Sequence, residues 1–268
     1  MIALDRPIVM GILNLTPDSF SDGGELSTLE GAVERGERMV AEGAGILDVG
    51  GESTRPGADL VDPDEEIDRI LPVVTRLASR LSVPISIDTR KARVAQAALA
   101  AGASIVNDVS ALGFDPDMVH VVAGSGAGVV LMHMRGSPLD MQERAQYQDL
   151  VGEVVSELRR SVARAEAGGI RREAIVVDPG IGFAKTAAHS LRLLGRLERL
   201  GALGLPILVG PSRKSFLGEV LDVPPRQRAV GTAAACVLAY RGGARIFRVH
   251  DVKATREALA VAAAVEEA

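Results

Sequence analysis

The feature that most constrains the fold of this chain is a recurrence. Eight short apolar runs return along its length, at residues 8–13, 46–49, 84–87, 104–106, 128–132, 174–177, 206–209 and 244–249. They are rich in β-branched residues and bounded by Gly, Pro or Asp, as buried strands are. Between them, apolar residues spaced i, i+3, i+4 predict helices. Ser27-Thr28-Leu29-Glu30 reads as a capping box opening one of them. Asp62-Pro63-Asp64-Glu65-Glu66 opens the next, with a proline and acids where free N–H groups and the helix dipole favour them. Further helices are predicted over 91–101, 142–168, 187–200, 213–220, 227–241 and 252–266. Eight strand–helix alternations predict one α/β domain over residues 1–268, a (β/α)8 TIM barrel with its active site at the C-terminal ends of the strands. A doubly wound sheet is the competitor, but it rarely needs eight parallel strands, and no GxGxxG follows the first run. Gly124-Ser125-Gly126-Ala127-Gly128 precedes a strand and reads as structural.

Composition narrows the class. No apolar run approaches the roughly 18 residues needed to cross a bilayer, so no membrane role is expected. The opening MIALDRPIVMG has no basic n-region, so a signal peptide is not expected either. A single cysteine, Cys236, excludes an internal disulfide and any cysteine-rich zinc site. A net charge of −5 with 3% aromatics argues against a nucleic-acid partner. A cytoplasmic enzyme or binding domain is the expectation.

In such barrels chemistry gathers where the strands end. Reading there gives Asn14; Asp48, followed by Gly50-Gly51-Glu52-Ser53-Thr54-Arg55; Asp88-Thr89; Asn107-Asp108; His133; and Asp178. The last two strands lead into Ser212-Arg213-Lys214-Ser215 and into Arg248, His250 and Asp251. Both asparagines of the chain are in this set. All four lysines, Lys91, Lys185, Lys214 and Lys253, lie in loops or first helical turns after strands. Helix capping accounts for some of these residues. It does not account for polar ends on every strand when the strand interiors are apolar.

The set divides by charge. Asn14, Arg213, Lys214, Arg248 and His250 offer donors where loops 7 and 8 commonly hold a phosphate, and the Ser212–Ser215 segment opens a helix that favours an anion. Asp88, Asn107 and Asp178, read as coming from adjacent strands 3, 4 and 6, form an acceptor cluster suited to the N–H groups of a heterocycle or to a metal. No further histidine or acid cluster has ligand spacing, so a permanent structural metal is not expected. A phosphate-bridging Mg²⁺ is. The glycine-rich loops after strands 1 and 2, at 16–24 and 50–58, carry Phe20 and Arg55 and read as lids over a substrate. Cys236 reads as core, His120 and His189 as surface or capping groups, and Tyr147 and Tyr240 as too isolated to stack bases.

Eight ordered blocks resemble the dihydropteroate synthase family over essentially the whole chain. They are MGILNLTPDSFSDGG from Met10, DVGGESTRPGA from Asp48, SIDT from Ser86, VNDV from Val106, LMHMRG from Leu131, DPGIGF from Asp178, SRKSF from Ser212 and RVHDV from Arg248. Ala184 and Ser137 depart from the glycine and threonine of many members. The resemblance implies joining of 6-hydroxymethyl-7,8-dihydropterin pyrophosphate to p-aminobenzoate, releasing pyrophosphate. It implies a pterin site of Asp88, Asn107, Met132, Asp178, Phe183, Gly210 and Lys214, with Asp88, Asp178 and Lys214 catalytic. Asn14, Thr54, Arg248 and His250 would bind the pyrophosphate, with Asn14 on Mg²⁺. Phe20, Thr54, Arg55, Pro56, Phe183 and Ser215 would shape the p-aminobenzoate site. A homodimer is implied as well, and the Ala-rich stretches 229–239 and 252–264 suit its interface.

The residues agree with SN1-like chemistry: cations face the leaving group, carboxylates lie near the cation left behind, and no Ser–His or Cys–His arrangement is expected. Two rivals are weaker. A methyltransferase-type pterin barrel has no use for the ESTRPG and SRKS blocks, and a silent paralogue should have lost one of the strand-end groups.

Overall fold

The computed structural model describes residues 4–16 and 28–268, and the structural statements here concern those residues. The strands are β1 (Ile8–Asn14), β2 (Ile46–Gly50), β3 (Ile85–Asp88), β4 (Ile105–Asp108), β5 (Gly128–Met132), β6 (Ile175–Asp178), β7 (Leu208–Val209) and β8 (Ile246–Val249). They pair in parallel in the order β6-β5-β4-β3-β2-β1-β8-β7. A parallel bridge from Val177 to Ile207 joins the two ends, with Val177 N–H donating to the Pro206 carbonyl at 3.0 Å. The ring closes into a (β/α)8 barrel. Around it lie α1 (Leu29–Ala41), α2 (Pro63–Arg80), α3 (Ala92–Ala100), α4 (Met118–Ser125), α5 (Leu150–Ala167), α6 (Ala187–Leu194), α7 (Ser215–Leu221), α8 (Ala229–Arg241) and α9 (Val252–Glu267).

The two-residue period of a strand sorts side chains between the inside and outside of the barrel. Outward residues such as Leu47, Ile87, Val106, Leu131, Val177 and Phe247 belong to the large core under the helices, and Cys236 is buried with them. Inward, Met10, Ile46, Val130, Leu208 and Ile246 form a separate apolar plug. Two residues further along the strands the inward positions turn polar, at Asp48, Asn107, Asp178 and Arg248. The plug is therefore a dry floor beneath a polar mouth.

Several boundaries differ from the sequence reading. The polar end residues belong to the ladder itself, because Asn14 pairs with Gly50, Asp88 with Asn107, and Met132 with Asp178. The helix expected over 142–168 starts only at Leu150, where Asp149 caps it by accepting from Gly152 N–H at 3.2 Å. Helix α4 was not expected: it is short, and the glycine cluster supplies its C-cap, Gly126, at φ +69°. Thr28 caps α1 through Gly31 N–H at 3.1 Å, one residue later than the expected box, whose Ser27 lies outside the described residues. His189 completes a capping box with Thr186, and His120 is exposed.

Candidate active site

The acceptor cluster assembles on β2, β3, β4 and β6. Strands 3, 4 and 6 are not all neighbours, as the sequence reading had them. Asp88 and Asn107 are ladder partners, but β5 intervenes before β6, with Val130 opposite Asn107 and Met132 opposite Asp178. One layer below Asp88, fully buried Asp48 accepts at Oδ2 from Asn107 Nδ2 at 3.1 Å and from Arg248 Nε at 2.6 Å. Arg248 Nη2 donates to Asp88 Oδ2 at 2.6 Å, so one guanidinium bridges two carboxylates. Burial opposes its charge, but Asp48 and Asp88 together hold it above the usual arginine range. Burial raises Asp88 to about 7, against the pull of Arg248. Asp178 is raised by burial too, opposed by Lys214, and accepts from Gly180 N–H at 2.7 Å.

Asp48 Oδ1, Asp88 Oδ1 and Ser86 Oγ are buried with no hydrogen-bond partner. Leaving a buried acceptor unpaired costs about 1–3 kcal/mol. Three such atoms inside one barrel mark a surface suited to N–H donors.

Opposite the acceptors stands the loop after β6. Gly180 and Gly182 have φ of +65° and +79°, and a Cβ on Gly180 would lie 2.0 Å from the His133 carbonyl. A Cβ on Gly182 would stand 3.0 Å from Lys214 Cδ, so the bare glycine lets the lysine cross the loop. Lys214 Nζ donates to the Ile181 carbonyl and sits 4.3 Å from the centroid of the Phe183 ring. Burial lowers its pKa to about 8. Ala184 adopts φ +48°, a left-handed conformation glycine takes without strain, which is the physical reason for glycine at this position in the related pattern.

The donor side is built from β1, β8 and the loop after β7. The sequence reading expected no Ser–His arrangement, but Ser212 Oγ accepts from the His250 backbone N–H at 3.1 Å and hydrogen-bonds His250 Nδ1 at 2.9 Å. Burial lowers the His250 pKa to about 3, so the ring is neutral. Asn14 adjoins Asp88: a Cβ on Gly50 would lie 3.5 Å from Asn14 Oδ1 and 3.4 Å from Asp88 Cβ. Gly210 lies beside Arg248, whose Cβ would be 3.6 Å from an added methyl. Thr54 is half-buried, while Arg55, Pro56 and Ser215 are exposed at the rim. Phe20 lies outside the described residues. Arg213, expected among the free cations, is held by both oxygens of Asp251 at 3.0 and 2.7 Å.

The sequence profile of pterin-binding enzymes matches residues 10–250. The dihydropteroate synthase of Synechocystis is 50% identical over 97% of this chain and 90% of its own length. A Yersinia pestis dihydropteroate synthase in a sulfonamide drug complex superposes with a TM-score of 0.96 at 46% identity, covering 100% of this chain and 97% of that one. The Xanthomonas albilineans dihydropteroate synthase with 4-aminobenzoic acid gives 0.94 at 47% identity, covering 100% and 96%. The chain belongs to the dihydropteroate synthases. It is therefore a transferase.

Sequence reasoning passed over three parts of this synthase. The first is depth: Asp48 was read as the end of its strand, but it lies within β2 opposite Ser86, two residues below the Gly50–Asp88 pair, and Ser86 was not read as a site residue; the two-residue period of β2 and β3 was the available signal. Second, buried Lys91 bonds Glu52 at 2.6 Å and also Glu66, while Arg90 holds Glu52 at 3.1 Å and Val61 N–H donates to Glu52 at 2.9 Å. These contacts fasten both ends of the loop after β2. Third, Lys185 Nζ lies 2.9 Å from His133 Nδ1 and donates to the Phe183 carbonyl at 2.9 Å. His133 Nε2 is in turn 3.0 Å from Glu157, which also binds Arg135. Of the four lysines, Lys214 and Lys185 both pull on Asp178 through their charge, Lys214 the more strongly; Lys253 is exposed, 4.0 Å from Glu257.

Proposed function

We propose that the strand-end cluster binds the pterin of 6-hydroxymethyl-7,8-dihydropterin pyrophosphate and passes its methylene carbon to p-aminobenzoate. The observation that carries this reading is the buried mouth with unpaired carboxylate oxygens on one side and Lys214 on the other. A pterin is a flat heterocycle whose pyrimidine edge is rich in N–H groups, donors that suit the carboxylates of Asp88 and Asp178 and the amide oxygen of Asn107. Met132 and Gly210 line the slot, and Phe183 beneath Lys214 borders both substrates. Thr54, Arg55, Pro56 and Ser215 form the rim where p-aminobenzoate enters; Phe20, outside the described residues, is assigned to the same substrate by the family resemblance. Asn14, Thr54, Arg248 and the Nε2–H of His250 face the pyrophosphate.

The substitution is SN1-like. The C–O bond to pyrophosphate breaks first, and the electron pair leaves with the phosphate. The cation left on the methylene carbon is delocalised into the dihydropterin ring, and the negative charge of Asp88 and Asp178 stabilises it. The amine of p-aminobenzoate, neutral at pH 7, then forms the C–N bond and loses one proton. Lys214 and Arg248 keep the site from accumulating net negative charge before departure.

The donor chemistry at Asn14 suits Mg²⁺. No group of three His, Cys, Asp or Glu forms a closed cage among the described residues. One amide oxygen beside a phosphate site is the sparse protein ligation that Mg²⁺ accepts, keeping waters and taking phosphate oxygens. When bound it neutralises charge developing on the pyrophosphate.

The protein acts as a cytoplasmic homodimer in this reading. Among the described residues no helix is long and apolar enough to cross a membrane. Val230 and Leu238 on α8 and Val261 and Val265 on α9 are 82%, 61%, 67% and 72% exposed, an apolar face that a second copy would cover. Sedimentation would show a dimer that Leu238→Asp and Val265→Asp dissociate. The function itself is tested with purified protein, dihydropterin pyrophosphate, Mg²⁺ and p-aminobenzoate. Dihydropteroate should form only with both substrates present and be lost in Lys214→Ala; no product from the wild type would overturn the reading.

A further inference from the structure

We propose that Asp48 is a positioning residue that fixes the Asn107 side-chain amide with its oxygen presented to the 2-amino group of the pterin. The inference rests on the substrate reading above and adds a reason for its specificity.

An ionised carboxylate only accepts hydrogen bonds. The atom of Asn107 that stands 3.1 Å from Asp48 Oδ2 is therefore its nitrogen, whatever a ligand above it prefers. Arg248 Nε, 2.6 Å from the same oxygen, pairs with the Asp48 carboxylate and fills its other approach. Asp48 is fully buried and Asn107 is 4% exposed, so water does not compete for either. The amide cannot turn over without setting its oxygen against the carboxylate. The Asn107 oxygen is left as the acceptor, and the mouth becomes a ring of acceptors completed by Asp88 and Asp178. A heterocycle with an exocyclic amino group matches that ring, and its 2-oxo counterpart brings oxygen against oxygen. Without Asp48, Asn107 could present either end, and the site would tolerate both.

Two substitutions separate this orienting role from the charge of Asp48. Asp48→Asn and Asp48→Ala both remove the charge. Both donors converge on Oδ2, so an amide oxygen can still occupy that point, whereas a methyl group cannot. The measurement is calorimetric affinity for 6-hydroxymethylpterin and for 6-hydroxymethyllumazine, its 2-oxo analogue. We expect the wild type to favour the pterin by tenfold or more, Asp48→Asn to keep that ratio within about threefold, and Asp48→Ala to bring it near one. Equal ratios in the two variants, or an undiminished ratio in Asp48→Ala, would overturn the role of Asp48. A wild type that binds neither compound would overturn the substrate reading itself, and the inference with it.

A second measurement does not depend on the alanine variant folding. The chain has only two asparagines, Asn14 and Asn107, so selective ¹⁵N-asparagine labelling gives two side-chain amide signals. One Asn107 Nδ2 proton should exchange slowly and stay protected when 6-hydroxymethylpterin is added. Fast exchange in the free protein, or loss of protection on binding, would overturn the proposal.

Discussion

Two buried polar clusters stand side by side in this barrel and are built on opposite terms. At the mouth, Asp48, Asp88, Asn107 and Arg248 leave two carboxylate oxygens unpaired, with Ser86 Oγ unpaired beside them. Behind the loop after β6, no buried side-chain atom of Lys185, His133, Glu157 or Arg135 lacks a partner among the described residues. Both clusters shift pKa values, Asp88 upward to about 7 and Lys185 downward to about 7, each chiefly through burial. A perturbed pKa therefore does not separate these two clusters; unfilled hydrogen-bonding capacity does, although Glu66 Oε1 and Thr255 Oγ1, outside the mouth, are also buried without a partner. The saturated cluster holds the backbone that carries Asp178 and Phe183, while the unsaturated one has acceptors left for a ligand.

The comparison breaks first where it is most consequential. Asp88→Asn should lower turnover about 10²–10³-fold, the usual cost of losing a group aimed at transition-state charge. It should weaken binding of 6-hydroxymethylpterin much less, because an amide oxygen still accepts a hydrogen bond. Steady-state kinetics beside calorimetry measures both, and equal losses would remove the stabilisation of the cation from the argument.

The second prediction concerns the saturated cluster and carries a pH signature. Lys185→Met leaves His133 Nδ1 and the Phe183 carbonyl without their donor, which should destabilise the fold by about 1–3 kcal/mol near pH 9. Burial brings the Lys185 pKa to about 7 in the folded protein, from an ordinary value of 10.5. Between those values the unfolded chain holds more protons than the folded one, so Lys185 makes stability rise with pH across that window. The gap between wild type and Lys185→Met should narrow as pH falls from 9 to 6, where the charged amine is buried without a carboxylate partner. Lys214 contributes a similar slope to both proteins, so the difference isolates Lys185. Denaturant unfolding at several pH values checks this, and pterin affinity at pH 8 should stay within about twofold.

The same contrast explains what the sequence could disclose. The eight apolar runs and their polar ends reveal the barrel and the acceptors, because strand burial and strand-end chemistry both leave one-dimensional signals. Asp48 is visible as a polar residue. Its depth is not, since that depends on its register opposite Ser86, one layer below Asp88. Charge alone likewise does not distinguish Arg213, neutralised by Asp251, from Arg248, which binds the acceptor cluster. Lys91 and Lys185 follow strands just as Lys214 does, yet their side chains turn into the scaffold. Which partner a long side chain finds is a property of the packed barrel.

The smallest effect tests the donor side of the mouth, where one hydroxyl sets a tautomer. The Ser212 hydroxyl accepts from the backbone N–H of His250 and hydrogen-bonds the ring at Nδ1. When the hydroxyl donates there, the ring offers Nε2–H to an anion. Ser212→Ala frees the choice of tautomer without touching the acceptor cluster. One neutral hydrogen bond contributes about 0.5–1.5 kcal/mol, so affinity for pyrophosphate should fall by roughly two- to tenfold at about 1.4 kcal/mol per decade. Affinity for 6-hydroxymethylpterin, which carries no phosphate, should not change. Calorimetry with each compound separates the two, and a parallel loss would mean that Ser212 supports the whole mouth instead of its anion-binding side.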